Sequence, residues 1–444
     1  MKKKIANWGN YPVVISEEQS FTLEEEARAS LEGMDSVIGR GNGRCYGDAS
    51  LGDTTFGTLK FDKVLSFDRG QGIFTCESGI TLDQILKIIV PSGWFLPVTP
   101  GTKFITVGGA VASDVHGKNH HVDGAFSNHV VSMDILVASG KVLTCSGSLL
   151  PDLFEATCGG MGLTGLILRV SFRLKKIESS YIRQKQIKAT NLDHVLSLFE
   201  QYRHYTYSVA WIDCLKKGNH FGRSILILGE HATRSELSPS QTRDPLKLPR
   251  QTQFVFPFTM PSFVLNPITV KAFNFLVYNK NFMPEMDSVV SYEPFFYPLD
   301  SFLHWNRAYG KAGFVQYQFV LPFESKTALI EIMTKISDQG MGSFLTVLKT
   351  FGPQQSIISF PMEGYTLAMD FPVRRGLFAF LDQLDRIVLE HGGRIYLSKD
   401  ARMSPEVFWN SYRDADRFME IVRRYNPEYK FRSMQSDRLL LTKI

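Results

Sequence analysis

The sequence predicts an α+β protein of two domains, on three observations. Its 444 residues, 44% of them hydrophobic, are enough to fill two cores. The chain as far as about Lys175 alternates short strand patterns with glycine-rich loops. The later chain holds two strand–helix–strand units in series, 314–349 and 365–400, whose helices both run into glycine, at Gly340 and at Gly392. Two such units predict an antiparallel, ferredoxin-like sheet with helices on one face, leaving the other face free to cover something.

Taken in order, EQSFTLEEEARASLE (18–32) reads as a helix and SVIGRG (36–41) as a strand entering a glycine loop. GTLKFDKVLSF and GIFTCESG alternate in the strand manner around the turn signal RGQG, and TLDQILKII is a short amphipathic helix stopped by Pro91 and Gly93. HVVSMDILVASGKVLTCSG predicts a hairpin turning at Ser139-Gly140, followed by the helix LLPDLFEATCGG and the strand GLILRVSFRL. Beyond Lys175, Asn191 caps a helix with Leu192, Val195, Phe199 and Tyr202 on one face, and SVAWIDC and SILILGEH read as strands. The polar stretch 233–253 predicts a mobile loop. Behind it, FVFPFTMPSFVLNP (254–267) is apolar yet broken by three prolines, as fits either an irregular packed loop or an apolar surface for a greasy ligand. The tail from Pro405 is charged and helical in pattern. These shifts set boundaries at 1–177, 178–393 and 394–444, the last segment returning to the first domain.

Composition excludes several functions. A net charge of +5 is too small for a nucleic-acid stripe, while mildly favouring an anionic substrate or an acidic membrane surface. Five widely spaced cysteines (Cys45, Cys76, Cys145, Cys158, Cys214) with no CxxC read as reduced core thiols of a reducing, cytoplasmic compartment. The start MKKKIANWGNYP has no apolar run behind it, so no signal peptide is expected, and no apolar stretch is long enough to span a bilayer. Any membrane contact is therefore peripheral.

SDVHGKNHH (113–121) carries three of the ten histidines. His116, His120 and His121 could ligate a metal, since an i, i+4 pair puts two imidazoles on one helix face, but Gly117 breaks the helix, Lys118 repels a cation and no cluster of acids or thiols follows. The competing reading is a backbone lying close to a ligand: Gly108, Gly109, Ala110, Ala112 and Ser113 minimise bulk and leave N–H groups free for a diphosphate or flat ring. IGRGNGRCYGD (38–48) and CGGMGLTG (158–165) supply two further glycine loops, with Arg40 and Arg44 available to anions. No P-loop pattern occurs, and the glycines do not fit the usual dinucleotide fingerprint.

These loops together resemble the PCMH-type FAD-binding domain of the vanillyl-alcohol-oxidase superfamily. Within it, GRGNGRCYGD, PGTKFITVGGAVASDVHGKNHH, FSNHVVSMDIL, HWNRAYGKAGFVQYQFV, FGP (351–353) and IYLSKDAR are similar to the family of decaprenylphosphoryl-β-D-ribose 2′-oxidases, from about residue 8 to the end. That resemblance implies a two-subdomain FAD-binding domain plus a substrate (cap) domain. It also implies contact with FAD by Arg40, Gly41, Gly43, Arg44, Cys45, Gly101, Thr106, Gly108, Gly109, Ser113, Val115, His116 and Tyr396. Where covalent members attach flavin to a histidine, this chain has Arg44, so non-covalent FAD is expected.

The implied reaction is oxidation of the 2-hydroxyl of a polyprenyl-phosphoryl ribose to a 2-keto sugar. It is the first half of an epimerisation to the arabinose form, an arabinan precursor in cell-wall biosynthesis. An NAD(P)H-dependent keto-reductase would complete it, and quinone or oxygen would reoxidise the flavin. Tyr46, Lys118, Lys399 and His116 stand at the matching catalytic positions, with Lys118 and Lys399 either moving the proton or steadying negative charge. Gln316, Gln318, Trp211, Lys349 and Thr366 match substrate positions, as do Lys118 and Lys399. Ala368 replaces the cysteine captured by nitroaromatic inhibitors, so that trapping is not expected, and Thr366 replaces a pocket Asn. His120 and His121 read as loop-structuring hydrogen-bond partners. Three alternatives stay open: an FAD-dependent oxidase of a free sugar, alditol or aldonolactone, a metal-dependent hydrolase built on HGKNHH, and a non-catalytic flavin-binding protein.

Overall fold

The computed structural model describes residues 2–249, 253–261, 264–280 and 282–442. The N-terminal part is built on two sheets. The first orders Lys2–Ala6, Val13–Ser20, Thr54–Gly57 and Ile38–Arg40, the last of these delivering the first glycine loop. The second is antiparallel and orders Val64–Asp68, Ile73–Glu77, Leu166–Arg173, Val130–Leu136 and Val142–Cys145, with the expected hairpin joining the last two. The helix Leu82–Ile89 starts in a capping box, the Gln84 amide donating to Thr81 Oγ1 at 3.3 Å and the Thr81 amide to Gln84 Oε1 at 2.8 Å. Its Leu82, Ile85, Leu86 and Ile89 are buried in the same core as Phe95 and Val107, at the root of the second glycine loop.

Two N-terminal expectations need correction. The helix begins at Glu24 instead of residue 18, because Val13–Ser20 pairs as a strand and Glu26 turns back to accept from the Thr22 and Leu23 amides. GTLKFDKVLSF is not one strand: it leaves one sheet at Gly57 and enters the other at Val64.

The C-terminal part is an eight-stranded sheet, ordered Glu285–Ser291, Tyr181–Ala189, Ser224–His231, Tyr207–Ile212, Thr346–Phe351, Gly364–Pro372, Phe314–Leu321 and Arg394–Ile395. Its last four strands pair antiparallel in the ferredoxin-like arrangement expected of the two units. Alternation divides the Phe314–Leu321 strand cleanly: Val315, Tyr317, Phe319 and Leu321 join the core beneath the helices Lys326–Asp338 and Leu377–Glu390, whereas Gln316 and Gln318 point to the other face. Gly340 and Gly392, just past the helix ends, adopt the left-handed conformation that ends a helix without strain (φ 61° and 70°).

A helix at Pro267–Asn279 and the strand Glu285–Ser291 were not anticipated. The helix is nonetheless signalled by Asn266-Pro267, a cap residue before proline, and the Asn266 side chain accepts from the Ile268 and Thr269 amides. Of the polar stretch 233–253, residues 250–252 lie outside the described residues. The rest contains the short helical turn Pro239–Thr242. Residues 262–263 of the apolar stretch also lie outside them. Elsewhere in that stretch Phe256 and Leu265 are packed, while Phe254, Val255 and Phe258 are exposed.

The tail forms the helices Pro405–Ser411, Ala415–Tyr425 and Met434–Arg438 and lies against the glycine-loop part. The Val37 amide donates to the Lys430 carbonyl at 2.8 Å, and Arg438 bridges Asp48 (2.8 Å) and Asp400 (2.7 Å).

Candidate active site

All three glycine loops open onto one cavity of about 540 Å³, and the free face of the eight-stranded sheet forms its opposite wall. On the loop side lie Gly41, Gly43, Arg44, Cys45, Gly101, Thr106, Gly108, Gly109, Ser113, Val115 and His116, with Tyr396 joining them from the tail-proximal segment. On the sheet side lie Gln316, Gln318, Trp211, Lys349 and Ala368. Tyr46, Lys118 and Lys399 stand where the two meet.

The glycine-loop geometry departs from the simplest expectation. The amides of the 107–113 segment are not free: Gly108 donates to the Ser78 carbonyl, Gly109 to Thr106 Oγ1, Ala110 to the Thr106 carbonyl and Ser113 to the Gly109 carbonyl. Small residues serve close packing here. A Cβ at Gly41 would overlap Thr106 Oγ1, and one at Gly108 would meet Ser78 Cβ at 2.9 Å. The unused donors are instead in the first loop, where the amides of Asn42, Gly43, Arg44 and Cys45 find no protein acceptor among the described residues. Gly43 there takes the left-handed conformation (φ 58°), which lets successive N–H groups converge on an anion. Gly101 presents open space to the cavity. A row of free amides beside an uncrowded slot fits the diphosphate and flat ring of FAD.

Arg40 borders the cavity, but its guanidinium is spent on Asn7, Ser50 and the Ala6 carbonyl, so it holds the loop's shape. The Arg44 guanidinium lies 4.2 Å from the Trp8 ring centroid and 5.2 Å from that of Phe104. The Cys45 thiol, pushed up by burial, sits 3.3 Å from Ser50 Oγ and is an unreactive wall group. The Tyr396 hydroxyl donates to the Ser113 carbonyl at 3.0 Å, and its ring stacks on Phe360.

The three histidines of SDVHGKNHH diverge. His116 faces the cavity, packed edge-on against Phe351 and accepting at Nε2 from Gln318 Nε2 (3.0 Å), which leaves a buried Nδ1 without a partner among the described residues. Burial, then Lys349, holds its pKa well below the usual value, so it is neutral. His121 donates to the Tyr205 carbonyl at 2.8 Å, as expected of a loop-structuring residue. His120 is chiefly packed: its ring rests 4.6 Å from Phe351, and burial lowers its pKa to about 3, with the Gln354 side chain opposing that shift.

Lys118, Lys349 and Lys399 all line this cavity, and none makes an ion pair among the described residues. Burial lowers Lys118 to about 7 and Lys349 to about 8. Lys118 donates to the Phe295 carbonyl and sits 4.6 Å from that ring's centroid. Lys399 lies 3.7 Å over the Tyr46 ring, its pKa also lowered by burial. The Tyr46 phenol, pushed up by burial and by Asp370, stays protonated and is a donor.

The sequence reading missed Asp370, a fully buried carboxylate that accepts from Gln316 Nε2 (2.6 Å) and the Tyr309 hydroxyl (3.0 Å) and attracts Lys399. Its signal was present: in YTLAMDFPV it lies two residues from Ala368 and so shares the cavity-side face. Gln184 and Gln186, likewise two apart, also line the cavity and were missed. Gln316 and Gln318 are held by Asp370 and His116 respectively, which fixes their orientation. Thr366 is a correction: buried behind Gln318, whose Nε2 donates to its Oγ1 at 3.3 Å, it does not border the cavity.

Known proteins match this arrangement. A family profile described as an FAD binding domain matches residues 25–146. Decaprenylphosphoryl-β-D-ribose oxidase of Mycolicibacterium smegmatis is 38% identical, over 99% of this chain and 98% of that protein. The L-gulonolactone oxidase of Mus musculus is 30% identical over only 32% of this chain and 33% of its own length. Among solved structures, the Physcomitrella patens protein BBE-like 1 superposes with a TM-score of 0.66 at 12% identity, covering 94% of this chain and 89% of that one.

Proposed function

Because the chain belongs to the decaprenylphosphoryl-β-D-ribose oxidase family and is an FAD-dependent oxidoreductase, we propose that it oxidises the 2-hydroxyl of a polyprenyl-phosphoryl-β-D-ribose to the 2-keto sugar. The observation that carries this reading is the convergence of Lys118 and Lys349 on one cavity without ion-pair partners among the described residues. Buried cations are costly unless an anion neutralises them, and a sugar phosphate does so. A free polyol or lactone would leave them uncompensated.

FAD, once bound, would supply the hydride-accepting chemistry of the oxidation. This chain's residues do the rest. The amides of Asn42 to Cys45, which have no protein acceptor among the described residues, would hold the diphosphate, and the glycine slot would leave room for the ring. Gln316 and Gln318, fixed from behind, orient the sugar. Tyr46, a protonated phenol, donates a hydrogen bond, and Lys399, made less basic by burial, accepts the hydroxyl proton. Lys118 and Lys349 hold the phosphate. His116, neutral and buried, offers its unpaired Nδ1 hydrogen to the ring or the sugar. A separate NAD(P)H-dependent keto-reductase completes the epimerisation, quinone or oxygen accepts the electrons, and the polyprenyl tail brings the protein to a bilayer surface.

Anaerobic titration with a short-chain polyprenyl-phosphoryl ribose is expected to bleach the oxidised-flavin absorbance, while ribose and xylitol leave it unchanged. Bleaching by a free polyol alone would move the function to that alternative. The lysines add a pH dependence. In the free enzyme Lys118 and Lys349 lose their charge as pH rises through about 7 and 8, so KM for the phosphorylated substrate is expected to increase between pH 7 and 9. A KM that stays flat across that window would remove both lysines from phosphate binding.

A further inference from the structure

The helix Pro267–Asn279 exposes its apolar side. Ile268 (79% exposed), Ala272, Phe275 and Leu276 (68%) fall at i, i+4, i+7 and i+8, one stripe, and Phe282 just beyond is 97% exposed. The helix is nevertheless fixed from its other side. Val270 and Asn274 are buried, Asn274 Nδ2 donates to Asp213 Oδ1 at 2.8 Å, and the Phe273 ring packs 5.6 Å from Phe344. A rigidly mounted helix with its greasy stripe in water is costly unless something covers it.

Charge indicates what does. Between Pro245 and Pro284 the sequence holds no Asp or Glu but four basic residues, Lys247, Arg250, Lys271 and Lys280. The three lysines are exposed, with no ion pair among the described residues. Position indicates it too. Phe256 and Leu265, which lead into the helix, pack on the cluster of Tyr46, Trp305, Tyr309 and Phe314, and Tyr46 and Trp305 also line the cavity. The apolar face and the cavity thus share a wall.

We propose that this face, centred on the 267–279 stripe and Phe282 and rimmed by Lys247, Lys271 and Lys280, seats the protein on the surface of an anionic lipid bilayer. Aromatic and aliphatic side chains enter the acyl boundary while the lysines meet acidic headgroups. The inference deepens the function proposed above and rests on it for the lipid-linked substrate, which would reach the cavity across the shared wall without leaving the membrane.

The test is flotation of the full-length, flavin-loaded protein with phosphatidylcholine vesicles, with and without phosphatidylglycerol. Binding is expected to need the anionic lipid and to weaken with salt. The triple variant Phe275→Ser/Leu276→Ser/Phe282→Ser and the charge variant Lys271→Glu/Lys280→Glu should each lower the partition coefficient about tenfold or more. Flavin content and bleaching by a water-soluble, short-chain substrate should not change. No vesicle binding by the parent protein, or equal binding to neutral vesicles, would overturn the proposal. So would self-association in solution that the triple variant abolishes, since the face would then join two copies. Intact bleaching without vesicle binding removes this inference and leaves the function standing, and vesicle binding without bleaching does the reverse.

Discussion

Replacing Lys399 by Met is expected to slow flavin reduction by the lipid-linked sugar by roughly 10²–10⁴-fold while the protein stays yellow. The side chain lies over the Tyr46 ring and has no hydrogen bond to the Asn42–Cys45 amides among the described residues, so cofactor retention should survive its loss. Its pKa is lowered by burial, and Asp370 opposes that shift only in part, which leaves a neutral amine available to take the hydroxyl proton. The rate in the unsubstituted enzyme should therefore rise with pH as Lys399 deprotonates, and the variant should lose that limb. Lys399→Arg separates proton transfer from simple charge: guanidinium keeps the cation and cannot give up its proton near neutrality. Recovery of the rate in the Arg variant would show that the cation, not the proton acceptor, matters. Stopped-flow absorbance under anaerobic conditions reads all three proteins.

The second large effect concerns stability. Arg438→Met strips the cation shared by Asp48 and Asp400, whose side chains are 3% and 2% exposed. Two buried carboxylates left facing each other should cost about 3–5 kcal/mol. The loss should appear as a lower denaturant midpoint and as flavin release at lower temperature, since Asp400 adjoins Lys399 and Asp48 closes the first glycine loop. Adding Asp48→Asn and Asp400→Asn to the same chain should restore much of the loss by removing the uncompensated charge. If the triple variant is no more stable than Arg438→Met alone, the effect comes from packing of the arginine stem.

The sequence made the two-part architecture legible because its signals are local. Period-two alternation at 314–321, glycines just past the helix ends at 340 and 392, and a serine-glycine hairpin at 139–140 each act within a few residues. The three glycine loops were legible for the same reason, through spacing and residue type, whereas the lysines were marked by the family resemblance. What escaped depends on partners distant in the chain. Whether Thr366 faces the cavity or lies behind Gln318 follows from strand register with Phe314–Leu321, which no local pattern encodes. Whether the amides of Val107 and Gly108 are free depends on the carbonyls of Ile80 and Ser78, which their own loop does not reveal. Asp370 has ordinary neighbours in sequence, and only its burial beside Tyr309 and Lys399 makes it part of the site. The helix at 267–279 was obscured by its own exposed apolar stripe, which does not follow the usual polar-outside pattern.

The clasp between the tail and the first glycine loop also bears on biogenesis. The Tyr46 amide donates to the Ser398 carbonyl at 2.9 Å, Gly47 leaves no room for a side chain against the Asp400 carbonyl, and Arg438 locks both segments together. The loop that offers amides to the cofactor is therefore held in shape by residues translated some 350 positions later. A nascent chain still tethered to the ribosome has its glycine loops but not their clasp. Cofactor retention is therefore expected to depend on this clasp, and a chain cut short before Arg438 is expected to hold FAD more weakly, which gel filtration would show as released flavin.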